Sequence, residues 1–131
     1  MAIDGVKIID SDTGYDIYNY VIGSYKDGMS ADKIVETMLA EEKDYCIDDF
    51  YSEIYWTALA YSLWKIGHLP DDVKEKTIGI IKRGADEFWL EIDGKTLKQR
   101  QKNLDKLAIQ LENENPKPIK VPKSKIIRKP Y

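Results

Sequence analysis

Two sets of carboxylates and two single residues are where this sequence concentrates its reactive side chains. Asp10, Asp12 and Asp16 form one set, and Asp44, Asp48 and Asp49 form the other. Carboxylates at such short spacing can hold calcium or magnesium through oxygen. The first set lacks the glycine and the closing bidentate glutamate of a helix-loop-helix calcium site. Helix capping and a solvated acidic face account for both sets more simply, so no metal is expected. His68, the only histidine, would need a nucleophile or carboxylate partner to act as a general base, and the sequence offers no local constellation. It reads as a surface residue at a helix terminus. Cys46, the only cysteine, stands among acids, which raise a thiol pKa and make the reactive thiolate scarcer. It can form no intramolecular disulfide and supplies at most one thiolate to a metal. The expectation is a protein that is not an enzyme and needs no cofactor. A small metal-dependent enzyme using Asp10, Asp12, Asp16 and His68 is kept as a distant alternative.

The elements around these residues read as helices. A turn and cap at Asp10 to Gly14 opens a helix whose face carries Ile17, Tyr18, Val21, Ile22 and Tyr25, ended by Asp27-Gly28. Ser30 caps a second, with Asp32 at its positive end and Met29 placed to staple on Ile34. Residues 44–49 read as an irregular acidic linker. From Phe50 to Ile66 a broad apolar stripe holds Tyr51, Tyr55, Trp56, Leu59, Ala60, Leu63 and Trp64 and stops at Gly67. This third helix is expected to be central, with Trp56 and Trp64 in the core. Pro70 in a first turn and Lys82-Arg83-Gly84 at the end bound a fourth helix. Phe88 to Ile92 form an apolar clump of undetermined structure. Thr96 is expected to cap a fifth helix, with Leu97, Gln101, Leu104, Ala108 and Leu111 on its buried stripe and Lys98, Arg100, Lys102 and Lys106 off it. Beyond Asn113 four prolines interrupt any helix. The expectation is an all-α chain in one compact domain of about five helices, 1–114, followed by a basic Pro/Lys-rich tail, 115–131, extended or docked. Residues 117–131 are expected to add little to folding, with a docked strand or strap as the alternative.

Length and charge narrow the class further. With 131 residues and 43% hydrophobic content, the chain can bury a core without disulfides or metal. A single thiol, an N-terminus without an apolar signal core, and no run of about twenty apolar residues point to the cytoplasm and away from the membrane. The net charge of −3 hides an uneven distribution: residues 1–72 carry fifteen acids against five bases, whereas residues 115–131 carry six bases and no acid. An acidic body disfavours nucleic acid and steers cationic protein surfaces toward it.

The third helix carries a resemblance. Tyr55-Trp56-Thr57-Ala58-Leu59-Ala60-Tyr61-Ser62-Leu63-Trp64-Lys65-Ile66-Gly67-His68-Leu69, followed by Val73 to Ile81, is similar to a W-x-A-L-A-x-x-x-W-K-x-G-x-L segment leading into a glycine-ended helix. With the later Trp89, the Lys-rich last helix and the Pro/Lys tail, it resembles small bacterial immunity proteins of polymorphic and contact-dependent toxin systems. That resemblance implies a cytoplasmic protein that binds and neutralises a cognate toxin stoichiometrically. A non-enzymatic adaptor or phage-encoded regulator that binds a host protein is the alternative.

The expected partner is a protein, a cationic toxin domain, with neither nucleic acid nor membrane involved. Recognition concentrates at exposed element ends. The expected contact residues are therefore Asp10, Asp12 and Asp16 with Tyr15 and Tyr18 at the first helix, and Asp44, Asp48 and Asp49 with Tyr51 before and in the third.

Overall fold

The computed structural model describes residues 12–46, 48–85, 95–113 and 118–119, and within these the side chains of Asp12 and Asp49 are not described. The chain is all-α, with no strand among the described residues. Its elements are α1 (Asp12–Lys26), α2 (Ala31–Ala40), α3 (Glu42–Tyr45), α4 (Asp49–Lys65), α5 (Asp71–Arg83) and α6 (Thr96–Glu112).

Local chemistry explains most of the boundaries. The Ser30 hydroxyl accepts from Lys33 N at 3.2 Å and caps α2. The Asp48 carboxylate does the same for α4, accepting from Tyr51 N at 2.9 Å. Gly28, Gly67 and Gly84 take positive φ just beyond α1, α4 and α5, where a side chain would be strained. Three expectations are corrected. The acidic stretch before α4 is not wholly irregular but winds the single turn α3. Pro70 precedes α5 as its N-cap residue rather than entering its first turn. Thr96 is the first residue of α6, not its cap; Lys95 holds that position without a side-chain hydrogen bond. The turn before α1, Phe88 to Ile92 and nearly all of the tail lie outside the described residues.

Helix α4 is central because its sequence is apolar around almost its whole circumference. Every residue from Glu53 to Ala60 is buried, and α1, α3, α5 and α6 all pack against it. Tyr18 meets Tyr61 and Tyr25 meets His68 at the same sequence offset, so α1 and α4 run parallel. The core joins Ile17 and Val21 of α1, Ile34 and Met38 of α2, Leu59 and Leu63 of α4, Ile81 of α5, and Leu104 and Leu107 of α6. Trp56 is buried in it, whereas Trp64 is half-buried and donates its indole N–H to Asn113 O at 2.6 Å.

The buried face of α6 differs from the expected stripe. It is Arg100, Leu104, Leu107 and Leu111, so Arg100, expected in solvent, faces the core instead. Its guanidinium donates to Glu53 Oε2 at 2.7 Å and to Thr57 Oγ1 at 3.2 Å, and both charged side chains are fully buried. The Thr57 hydroxyl in turn donates to Glu53 O at 2.6 Å. A charged pair in the interior is retained only when hydrogen bonds replace the lost water. Here they fix α6 in one register along α4.

Two tail residues are described, and both are docked. Ile119 N donates to Lys65 O at 2.8 Å, and its side chain packs on the core. Pro118 lies so close to the turn after α4 that a Cβ at Gly67 would meet it at 2.9 Å.

Candidate protein-binding surface

One acid from each expected contact group, Asp16 and Asp44, acts on the same tyrosine, which the sequence did not single out. Tyr45 ends α3 and stacks on Tyr55, ring centroids 5.3 Å apart. The Tyr55 hydroxyl donates to Met38 O, which ties α4 to the end of α2. Burial raises the Tyr45 hydroxyl above its ordinary pKa, and the negative fields of Glu41, Asp16 and Asp44 raise it further. Asp16 of α1, Glu41 at the α2–α3 junction and Asp44 of α3 are thus all within electrostatic reach of one hydroxyl. Glu42 belongs to the same neighbourhood. After burial and the Cys46 thiol, it is among the groups that raise Tyr55.

Asp16, Glu41 and Asp44 are exposed and Glu42 is half-buried. These acids share one side of the molecule with the exposed Lys43, and three of them are open to water. An incoming cationic surface would gain from long-range attraction to them.

The other expected residues fall differently. Asp48 caps α4, as above, and its carboxylate also stays exposed. Tyr15 is 54% exposed and Tyr51 38%, which leaves both rings available as contact area. Tyr18 is half-buried and stacked on Tyr61 at 6.0 Å in the seam between α1 and α4, so packing already occupies one of its faces. Asp10 and the side chains of Asp12 and Asp49 lie outside the described residues.

Glu41, Glu42 and Tyr45 were missed because each looks ordinary in sequence. Glu41 reads as the polar side of α2, and the one-turn α3 has no apolar period to reveal it. The signal available was the density of acids between Glu41 and Asp49.

The remaining reactive residues are placed plainly. Burial pushes the Cys46 thiol up; a Ser52 hydrogen bond pulls it down, Glu42 adds to the rise, and Lys76 and Trp56 oppose it. His68 is exposed, with its Nε2 3.3 Å from the Tyr25 hydroxyl. Among the described residues, no three His, Cys, Asp or Glu side chains are grouped to hold a metal. No helix among them is long and apolar enough to cross a membrane.

No protein-family model matches the chain, and no curated protein and no solved structure matches it.

Proposed function

We propose that this chain is an immunity protein: it binds a cationic toxin domain in the cytoplasm and neutralises it stoichiometrically, without catalysis of its own. The observation that carries this reading is that Asp16 of α1, Glu41 at the α2–α3 junction and Asp44 of α3, all exposed, each act on Tyr45 with their negative charge. A surface of this kind speeds encounter with a basic partner. Exposed Tyr15 and Tyr51 supply aromatic contact that slows its departure. The resemblance carried by Tyr55 to Leu69 supports the same reading, because in this chain that segment builds the central helix that holds the acidic helices in place.

Genetics tests this directly. The gene immediately upstream is expected to encode a larger protein with a toxic C-terminal domain, and co-expression of this chain is expected to restore growth to cells making that domain. Growth arrest that persists at full expression of both proteins would overturn the proposal.

A further inference from the structure

Beside the acidic cluster lies a hollow of about 240 Å³ between the end of α2, α3 and the start of α5, lined by Leu39, Glu42, Trp56, Asp72, Val73 and Lys76. We infer that this hollow is an anchor site for an arginine or lysine side chain of the partner, taken between the Trp56 ring and the carboxylates of Glu42 and Asp72. The inference deepens the proposed function and rests on its cationic partner.

Three observations converge on a cation. Trp is the best aromatic side chain for one; Trp56 is 5% exposed, and the Lys76 ammonium of this chain sits 5.8 Å from its ring centroid at the part that borders the hollow. The protein's own lysine thus shows which chemistry the ring accepts. The lining carries two carboxylates against that one ammonium, so the hollow has a net negative charge even when Lys76 is in place. Leu39 at its rim is 36% exposed and offers apolar surface to the methylene stem of a long basic side chain. Lys76 is itself exposed on the first turns of α5, so a guest can displace it into water at little cost. A guanidinium fits better than an ammonium, because its flat face stacks on an indole while its edges donate to carboxylates. An anion would meet two carboxylates against the single Lys76 ammonium, even though Asp72 also accepts from Val73 N at 3.0 Å.

The Trp56 indole N–H is a built-in reporter. It is buried and lies beside the Cys46 thiol, whose pKa it helps to lower.

The test titrates the full ¹⁵N-labelled chain with N-acetyl-arginine methylamide, with N-acetyl-norleucine methylamide as the uncharged control. The Trp56 indole resonance is assigned by elimination using Trp64→Phe and Trp89→Phe. The arginine derivative is expected to shift that resonance saturably, and the norleucine derivative is not. Lys76→Met, which frees the ring, is expected to tighten binding about two- to fivefold. Glu42→Gln with Asp72→Asn is expected to abolish saturation, while Asp32→Asn on the exposed start of α2 leaves it unchanged. No arginine-specific shift, or an equal shift in the Glu42→Gln/Asp72→Asn chain, would overturn the inference. No toxin is needed for this experiment. A silent Trp56 with intact growth rescue would overturn the anchor site alone, and saturable arginine binding with failed rescue would overturn the toxin reading alone.

Discussion

Charge is used in opposite ways in two regions of this molecule. Between α4 and α6, Glu53 and Arg100 are opposite charges in full burial, 2.7 Å apart and braced by Thr57. Around Tyr45, Asp16, Glu41 and Asp44 are like charges left in water. In the first region every charge is spent inside the fold, and removing one partner leaves the other stranded in low dielectric. In the second the charged side chains are exposed and add little to packing, so their removal should hardly disturb the fold. Burial and pairing together separate charges that hold the structure from charges free to meet another molecule.

Breaking the buried pair should have the largest effect. Arg100→Met alone is expected to cost about 3–5 kcal/mol, whereas Glu53→Leu with Arg100→Met is expected to come back close to wild type, since a well-packed apolar pair removes the stranded charge. Urea unfolding measures both, and equal loss in the single and double variants would mean that packing rather than pairing is at stake. Leu59→Ala and Leu63→Ala, in the apolar part of the same helix, are expected to cost roughly 2–5 kcal/mol by the same assay. Near-wild-type stability in both would mean that α4 is not the centre of the core.

Smaller effects sharpen the contrast at the helix ends. Gly67→Ala is expected to cost about 1–3 kcal/mol, because an L-residue is strained at its φ of +76°. Its Cβ would also push Pro118 away, so cleavage by added protease near residue 118 should accelerate relative to wild type. Unchanged cleavage would mean that the two docked residues are not held by this contact. The sequence reading allowed a tail that adds little to folding or one docked as a strand or strap, and the contacts of Pro118 and Ile119 fit docking for those two residues.

Alkaline pH separates buried from exposed tyrosines. Burial, aided by neighbouring negative groups, raises Tyr55 well above its ordinary 10.0 and raises Tyr45 and Tyr61 in the same direction. Below pH 10 folded and unfolded chains both hold these protons, so the contribution is fully present. As pH rises past 10 the unfolded chain ionises first, and stability is lost toward the folded values. Thermal melts from pH 9 to 12 should show this decline, and Tyr55→Phe should make it shallower. A decline of unchanged slope in that variant would remove Tyr55 from the account.

How much of this could be read in advance depended on whether the signal was local. Ser30, Gly67 and Gly84 announce helix ends through backbone chemistry that acts within a turn, and the structure puts helix ends at all three. The apolar density of Tyr55 to Trp64 likewise marked the central helix. Arg100 reads as solvated because its charge outweighs its position in the apolar pattern. Its spacing to Leu104, Leu107 and Leu111 was the overlooked clue, and only the fold could supply Glu53 as its partner. The acidic surface was half legible. Asp16 and Asp44 stood out as members of acidic sets, but their meeting around Tyr45 depends on α3 and on the parallel run of α1 and α4, neither of which has a periodic signature.

The most direct test of the acidic surface is the association rate between this chain and the toxin domain proposed to be encoded upstream, measured by surface plasmon resonance at low and high salt for wild type and for Asp16→Lys/Glu41→Lys/Asp44→Lys. Exposed substitutions of this kind shift stability by about 0.5 kcal/mol or less, so the triple variant should keep its helical content and its unfolding midpoint. Its association should slow about tenfold or more at low salt, and the salt dependence seen for wild type should flatten. Association at the wild-type rate at both salt concentrations, by a folded triple variant, would contradict the account.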